Sequence, residues 1–524
     1  MGGGSAGSSS GSGSGSGPGS GPPLRWARLL VALVALLVPA SRAEIGDGIW
    51  RWDRNVSNWY SYGWYDALGR HDPAHHRYNL FFPANSRRAD LGAAGQKFHS
   101  FRNPSVVNCD SGRLVAFAEG RRYDNRDFGH ISIVVKRQKD KDQGKARWMA
   151  HMLKFWMPLS ELTPGAAGSW TNPTAVPDGD TLYLFMNWNR HDRSRRGNET
   201  LATGEVTRKV DATPEGRRRL FLTQSPDDGL TWTTPVDVTD QLTPPGWGWD
   251  VVGPGRGIVL RSGEVVVPAM GRNIVGRGPP GKRTWSYVLL DGSGEEGTIV
   301  QTPDDGLLRN DKGLPGDNFR RVARGNLTHF EPFRLDTALP DHIDGGGAMV
   351  QWSWRNMSVK YPDDNRIVFV NPYSSTNTDR LRCQLTYYHD GSRYTIWRDL
   401  QDKKAVGRHF GIESRRASIS FRLFTTEHHL VFLSEMDFRQ TGGSKDDHVG
   451  LLFRHTSISW LLHGNQQGLM GKPKEEKDPY LRLVKFDPER KLPMWEKQGR
   501  TVEEIKCLVD NGQCRGVMRQ GTGD

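Results

Sequence analysis

Cysteine is nearly absent: 524 residues hold four, Cys109, Cys383, Cys507 and Cys514. So few cannot staple a small disulfide scaffold. No Cys/His spacing suits zinc, so neither a metal nor any other cofactor is expected. Cys507 and Cys514, close together in a polar tail, form the candidate disulfide, whereas Cys109 and Cys383 sit in apparent strands and read as buried thiols. Helical periodicity is also scarce, which excludes a helical bundle. Long apolar runs are missing too: the one from Leu29 to Pro39 falls short of the roughly 20 residues that span a bilayer, and no second one approaches it.

That run has a different use. Residues 2–22 are almost only Gly, Ser and Pro, a composition that cannot bury apolar surface. Arg25 and Arg28 precede the apolar run, and Ser41-Arg42-Ala43 closes it with small residues, as in a secretory signal cleaved after Ala43. An uncleaved anchor is the alternative. Cleavage would leave no stable membrane span and place the protein outside the cell or in an endomembrane lumen. Sequons at Asn55, Asn198, Asn326 and Asn356 suit that route.

The formal charge of +12 does not choose a partner. Its densest runs, Arg193-Ser-Arg-Arg196 and Arg217-Arg-Arg219, lie in apparent loops and read as solvated surface, so no nucleic-acid partner is expected.

What is abundant is β-structure. Residues 44–94 are rich in Trp, Tyr, Arg and His without periodicity and read as a segment laid against the main domain. From about Phe98, short β-branched runs alternate with Gly, Pro, Asp and Asn turns: Arg113–Ala118, His130–Val135, Thr181–Met186, Gly257–Leu260, Glu264–Pro268, Arg366–Val370 and His429–Leu433. Many short strands with regular turns predict an all-β sandwich, barrel or propeller. Ser225-Pro-Asp-Asp-Gly-Leu-Thr-Trp232 then follows the strand Leu220–Thr223 as a complete Asp-box, Ser-x-Asp-x-Gly-x-Thr-Trp. The Asp caps a tight hairpin, the Gly takes positive φ and the Trp packs the hairpin on its neighbour. Degraded copies occur at Asp142–Gly144 with Trp148 and at His389–Gly391 with Trp397. Repetition at this spacing predicts a β-propeller, a fold whose blades bury their faces on one another.

Phe101-Arg102-Asn103-Pro104, followed by Ala116-Phe-Ala-Glu119-Gly-Arg121, the Asp-box and a carboxylate-to-cation hairpin, resembles the sialidase family in motif order. The resemblance implies a six-bladed propeller over about 95–465, with a peripheral tail at 466–524, and exo-hydrolysis of a terminal α-linked acidic sugar from glycoconjugates. It also implies an arginine clamp for the sugar's carboxylate, a task that suits arginine's planar donors. Arg102 matches the first clamp position and Arg380, in Thr378-Asp-Arg-Leu381, the third. The second falls on Lys312, in the segment running from Glu296 to Lys312, with Arg309 an alternative if the register slips. Asp127 stands at the general acid's offset, with Asp124 a near neighbour; Arg121 and Asn172 take sugar-contacting positions. Trp247 and Trp249 are either an apolar wall for the sugar or core aromatics.

One position departs from the family. Retaining sialidases attack with a tyrosine that a glutamate activates, and Glu296 matches that glutamate. In Glu413-Ser-Arg-Arg-Ala-Ser-Ile-Ser420 the best register puts Ala417 at the tyrosine, and no tyrosine lies between Tyr394 and Tyr480. Three readings follow: a nucleophile from elsewhere, such as Tyr373 or Tyr123; a reaction without a covalent intermediate; or a glycan-binding relative with weak or no catalysis. A propeller with a purely structural role stands behind these.

Overall fold

Valine-rich runs of five to ten residues dominate a computed structural model that describes residues 49–52, 59–62, 64–65, 71–72, 76–86, 88–139, 155–163, 168–302, 304–342, 344–352, 366–376, 381–386, 394–400, 413–424, 427–438, 448–457, 461, 482–487 and 492–496. Both degraded Asp-box turns, Cys507 and Cys514, and the sequons at Asn55 and Asn356 lie outside these residues.

The main strands are β1 (His76–Phe81), β2 (Ser100–Asn108), β3 (Leu114–Arg121), β4 (Ile131–Arg137), β5 (Ser169–Asp178), β6 (Thr181–Asn189), β7 (Arg219–Ser225) and β8 (Val236–Asp237). Three four-stranded sheets follow: β9 (Ile258–Val259), β10 (Val265–Ala269), β11 (Arg272–Arg277) and β12 (Thr284–Leu289); β13 (Gly297–Gln301), β14 (Leu307–Asp311), β15 (Phe319–Gly325) and β16 (Arg334–Pro340); β17 (Ala348–Trp352), β18 (Arg366–Pro372), β19 (Leu381–Thr386) and β20 (Tyr394–Asp399). Last come β21 (Glu413–Phe424), β22 (Glu427–Phe438) and β23 (His448–Ser457). A helical turn, Thr239–Leu242, lies between β8 and β9. Neighbouring strands within each group pair antiparallel. Among the described residues no sheet closes on itself, and one parallel pairing, Ser169 with Ile131, joins β2–β4 to β5–β8, so the hydrogen-bonded sheets do not by themselves number six.

Side-chain alternation explains how the sheets stack. In β3, Val115 and Phe117 point into one core with Leu182, Leu184 and Met186 of β6, while Ala116 and Ala118 point into another with Val431 and Leu433 of β22 and Phe453 of β23. On β6, Tyr183 and Phe185 face away from the first core and join Val265 and Val267 of β10. Each sheet is therefore apolar on both faces, which is why these strands read as continuous hydrophobic runs. The first sheet also packs against the last, and β1 hydrogen-bonds β23 as its outer neighbour. The aromatic-rich 44–94 segment does more than lie against the domain: Ile49–Trp52 pairs Trp59–Tyr62, and Tyr60 pairs Tyr78 of β1, so these strands extend the last sheet.

The Asp-box fills the turn between β7 and β8. Asp227 accepts from Leu230 N at 3.1 Å, Thr231 N at 2.8 Å, Thr231 Oγ1 at 2.7 Å and Ser225 Oγ at 2.8 Å. Gly229 sits at φ +83°, where a Cβ would meet Val115 at 3.1 Å. Trp232 donates to Gly229 O and meets Phe117 edge-on at 5.7 Å. Asp227→Ala is expected to cost about 1–2 kcal/mol, read as a lower thermal midpoint, because several donors lose a common charged acceptor. Turnover per folded molecule should not move.

Candidate active site

The first strands of the sheets bring their leading residues together. Arg102 and Asn103 belong to β2 and Asn172 to β5, Glu296 immediately precedes β13, Gly346 and Gly347 precede β17, and Arg415 and Arg416 belong to β21. Three of these strands bulge there: register slips between Arg102 and Ser105, between Thr171 and Thr174, and between Glu413 and Ala417. Asn103, Asn172 and Arg415 take left-handed φ of 50°, 58° and 62°. A bulge re-aims side chains that a regular strand would send into the faces. Here it turns them into a cleft of about 700 Å³, whose charged lining counts nine Arg or Lys against six Asp or Glu. An excess of cations in a cavity of this size suits a small anionic ligand.

Arg102 is buried. Behind it lies Glu435 of β22, fully buried, 3.4 Å from Nε and also accepting Asn103 N at 2.9 Å. In front, Arg102 Nη1 reaches Asp127 Oδ1 at 3.2 Å, and Arg121 Nη2 reaches the same oxygen at 2.7 Å. Glu119 fastens the next layer. Its Oε1 accepts Asn103 Nδ2 at 2.6 Å and Asn172 N at 2.8 Å, and its Oε2 accepts Arg121 Nε at 3.1 Å. One buried carboxylate thus aligns the bulges at Asn103 and Asn172 as well as Arg121.

Asn172 Oδ1 receives Arg218 Nη2 at 2.7 Å, and the Arg218 guanidinium lies 4.3 Å from the Trp249 ring centroid. Arg218, buried, corrects the reading of Arg217–Arg219 as solvated surface: burial pulls its pKa down to about 10. Arg195 and Arg196 line the same cleft, with Arg195 pairing Glu295 at 2.7 Å. Trp249 is on the wall, but Trp247 is not: it lies against Gly271, with the Arg272 guanidinium 5.6 Å from its ring.

Glu296 is held between two cations, Arg416 Nη1 at 2.7 Å and Lys312 Nζ at 3.4 Å. Lys312 N also donates to Glu296 O at 2.7 Å across the β13–β14 hairpin. Arg309 does not take Lys312's place, because it is fully buried and forked onto Asp311 at 2.8 and 2.9 Å. Arg380 lies outside the described residues. Arg416, which the motif reading passed over, supplies a cation from the last sheet. Asp124 turns away to Arg126 at 2.8 Å. Ala417 is buried beside Glu296, and among the described residues lining the cleft there is no tyrosine. Tyr123 meets His130 edge-on at 5.5 Å, and Tyr373 lies beneath the Arg382 guanidinium at 3.9 Å.

The matches to known proteins agree with this geometry. A family model described as a BNR repeat-like domain matches residues 103–291. The exo-alpha-sialidase of Aspergillus fumigatus is 44% identical over 396 residues, covering 75% of this chain and 92% of that protein. The chain belongs to the sialidase family. A second exo-alpha-sialidase, from Arthroderma benhamiae, is 40% identical over 401 residues, with 76% and 93% covered. Among solved structures, Trypanosoma rangeli sialidase in complex with 2,3-difluorosialic acid, a covalent intermediate, has a TM-score of 0.51 at 18% identity, covering 75% of this chain and 60% of that one. That likeness supports the propeller architecture expected of this sialidase-family chain.

Asp127 and Glu296 are both held ionised. For Asp127, whose carboxyl is open to the cleft, partial loss of water between the cleft walls opposes charge, but Arg121, then Arg102 and Arg416, outweigh it and keep the carboxyl below the usual range. For Glu296, burial likewise opposes charge, and Arg416 and Lys312 outweigh it, bringing the pKa down to about 2. A folded-state pKa below the unfolded one means that the unfolded chain binds more protons in between. The Glu296 contribution is therefore complete above about pH 4.5 and is lost as pH falls toward 2, with an upper bound of about 3 kcal/mol. The thermal midpoint should fall from pH 5 to pH 3, and Glu296→Gln should flatten that slope.

Proposed function

We propose that this chain is an exo-α-sialidase, releasing a terminal α-linked sialic acid or related 2-keto sugar acid from glycoconjugates. The observation that carries the reading is Arg102: buried, braced from behind by Glu435, and capped toward the cleft by the exposed Asp127 carboxyl and the Asn125 carbonyl. A sugar carboxylate is chemically the same partner as Asp127, and it would displace that side chain from the guanidinium. Asp127 would then lose one of the cations that keep it ionised, so its pKa would rise as substrate binds. A carboxyl made more basic and shielded by the sugar can carry a proton to the departing oxygen. Lys312 would assist as a point charge, and Trp249 with Arg218 would line the ring's far side. The 40–44% identity to exo-alpha-sialidases over most of their length supports the same reading.

Action in the secretory lumen or outside the cell is part of the proposal. It is supported by the Arg-flanked apolar run before Ala43 and by the exposed positions of sequon residues Asn198 and Asn326. One observation favours a second reading, a glycan-binding propeller: Ala417 stands where the family's nucleophile is expected. A fluorogenic α-sialoside assay on the purified full chain separates the two. Turnover supports the hydrolase; sialoglycan binding without turnover on any acidic-sugar substrate sinks it and leaves the binding protein.

A further inference from the structure

The space beside Ala417 has a use. Pro104, Pro254, Gly297, Gly347 and Ala417 wall a recess that opens against Glu296 and Arg416, with room for about one water molecule. The walls are short by necessity: a Cβ on Gly297 would collide with Asp311 and Arg309, and one on Gly347 with Phe369 at 2.7 Å. The side chains of these walls offer nothing to hydrogen-bond, so the polar side chains at the recess are the Glu296 carboxylate and the Arg416 guanidinium. Arg416 is 8% exposed, and its Nε–H is buried with no hydrogen-bond acceptor among the described residues. A buried donor without an acceptor is costly unless something occupies the space it faces.

Resting on the hydrolase reading above, we infer that this recess seats the attacking water, so that the sugar is released in one displacement with no covalent sugar–enzyme bond. Glu296 accepts one water proton and Arg416 orients the oxygen. The glycosidic C–O bond breaks as the new C–O bond forms, and the departing oxygen takes a proton from Asp127. The water's proton passes through Glu296 to solvent, and Asp127 is reprotonated from solvent. Glu296 is a weak base between two cations. That suffices where the transition state is oxocarbenium-like, because attack on a nearly formed cation needs a positioned water more than a strong base. One displacement inverts the anomeric centre, whereas two restore it.

The test uses the full-length protein and an α-linked aryl sialoside, with the released sugar followed by proton NMR before it equilibrates. The β anomer should appear first. Intact-protein mass after incubation with 2,3-difluorosialic acid, which gives a covalent intermediate on Trypanosoma rangeli sialidase, should show no adduct. Ala417→Leu, which fills the recess, should lower kcat about 100-fold with the dissociation constant of a sialic-acid-like inhibitor unchanged. The α anomer first, a covalent adduct, or an unchanged kcat in Ala417→Leu overturns the inference and leaves the hydrolase standing. No turnover by the unaltered protein overturns both. The anomer measurement needs no variant, so poor folding of Ala417→Leu does not blunt the test.

Discussion

Arg102→Met should lower kcat/KM on a sialoside by about 10²–10⁴-fold, because two charge-assisted hydrogen bonds to the sugar carboxylate, about 1.5–3 kcal/mol each, disappear together. The same variant should be less stable by about 3–5 kcal/mol. Glu435 has no exposure and, among the described residues, would keep the Asn103 N–H as its hydrogen-bond donor and the Arg416 charge at longer range. Arg102→Met with Glu435→Met should recover most of the stability, since an apolar pair of similar volume replaces a buried ion pair at little cost. It should recover none of the turnover. Thermal midpoints and kcat/KM on the three proteins separate clamp from brace. A single variant that folds normally and binds sialic acid as before would remove Arg102 from the site.

Asp127→Asn should behave in the opposite way. Its carboxyl is 72% exposed, so losing its ion pairs with Arg102 and Arg121 should change stability by less than about 1 kcal/mol. Turnover should fall by about 10²–10⁴-fold on a substrate whose leaving group is another sugar, which needs its oxygen protonated. On an aryl sialoside, whose phenolate leaves without that help, the loss should be far smaller. Equal losses on both substrates would place Asp127 in binding rather than proton transfer.

What could be read along the chain follows how far apart the interacting atoms are in sequence. The Asp-box is legible because Ser225, Asp227, Gly229, Thr231 and Trp232 bond within the same turn. Arg102 and Arg121 are legible because Asn-Pro and Ala-x-Ala-Glu-Gly-Arg are local patterns. Arg218 was not: three consecutive arginines look alike until Asn172 from β5 and Trp249 from the loop before β9 arrive to bury the middle one. Arg416 escaped for the same reason, since Ser-Arg-Arg-Ala gives no sign that a bulge will turn the second arginine toward Glu296, 120 positions earlier. Glu119 and Glu435 carry no motif that states their role. Each is defined by the guanidinium and the bulge it braces, and for Glu435 those lie more than 300 positions away.

The pairing of His76–Phe81 with His448–Ser457 sets the order in which the molecule can be completed. On the ribosome, the early strand emerges long before this partner is synthesised, so although Trp59–Tyr62 can pair its other edge, the edge that faces His448–Ser457 must wait. The intervening sheets can assemble from local hairpins, yet the last one gains its outer neighbour only at the end. Contacts of such sequence separation slow folding and lengthen the exposure of a sticky edge. Because Arg102 leans on Glu435 from that same late sheet, the anion clamp is among the last features to form. A chain stalled before the final strands would hold most of the framework and none of the chemistry.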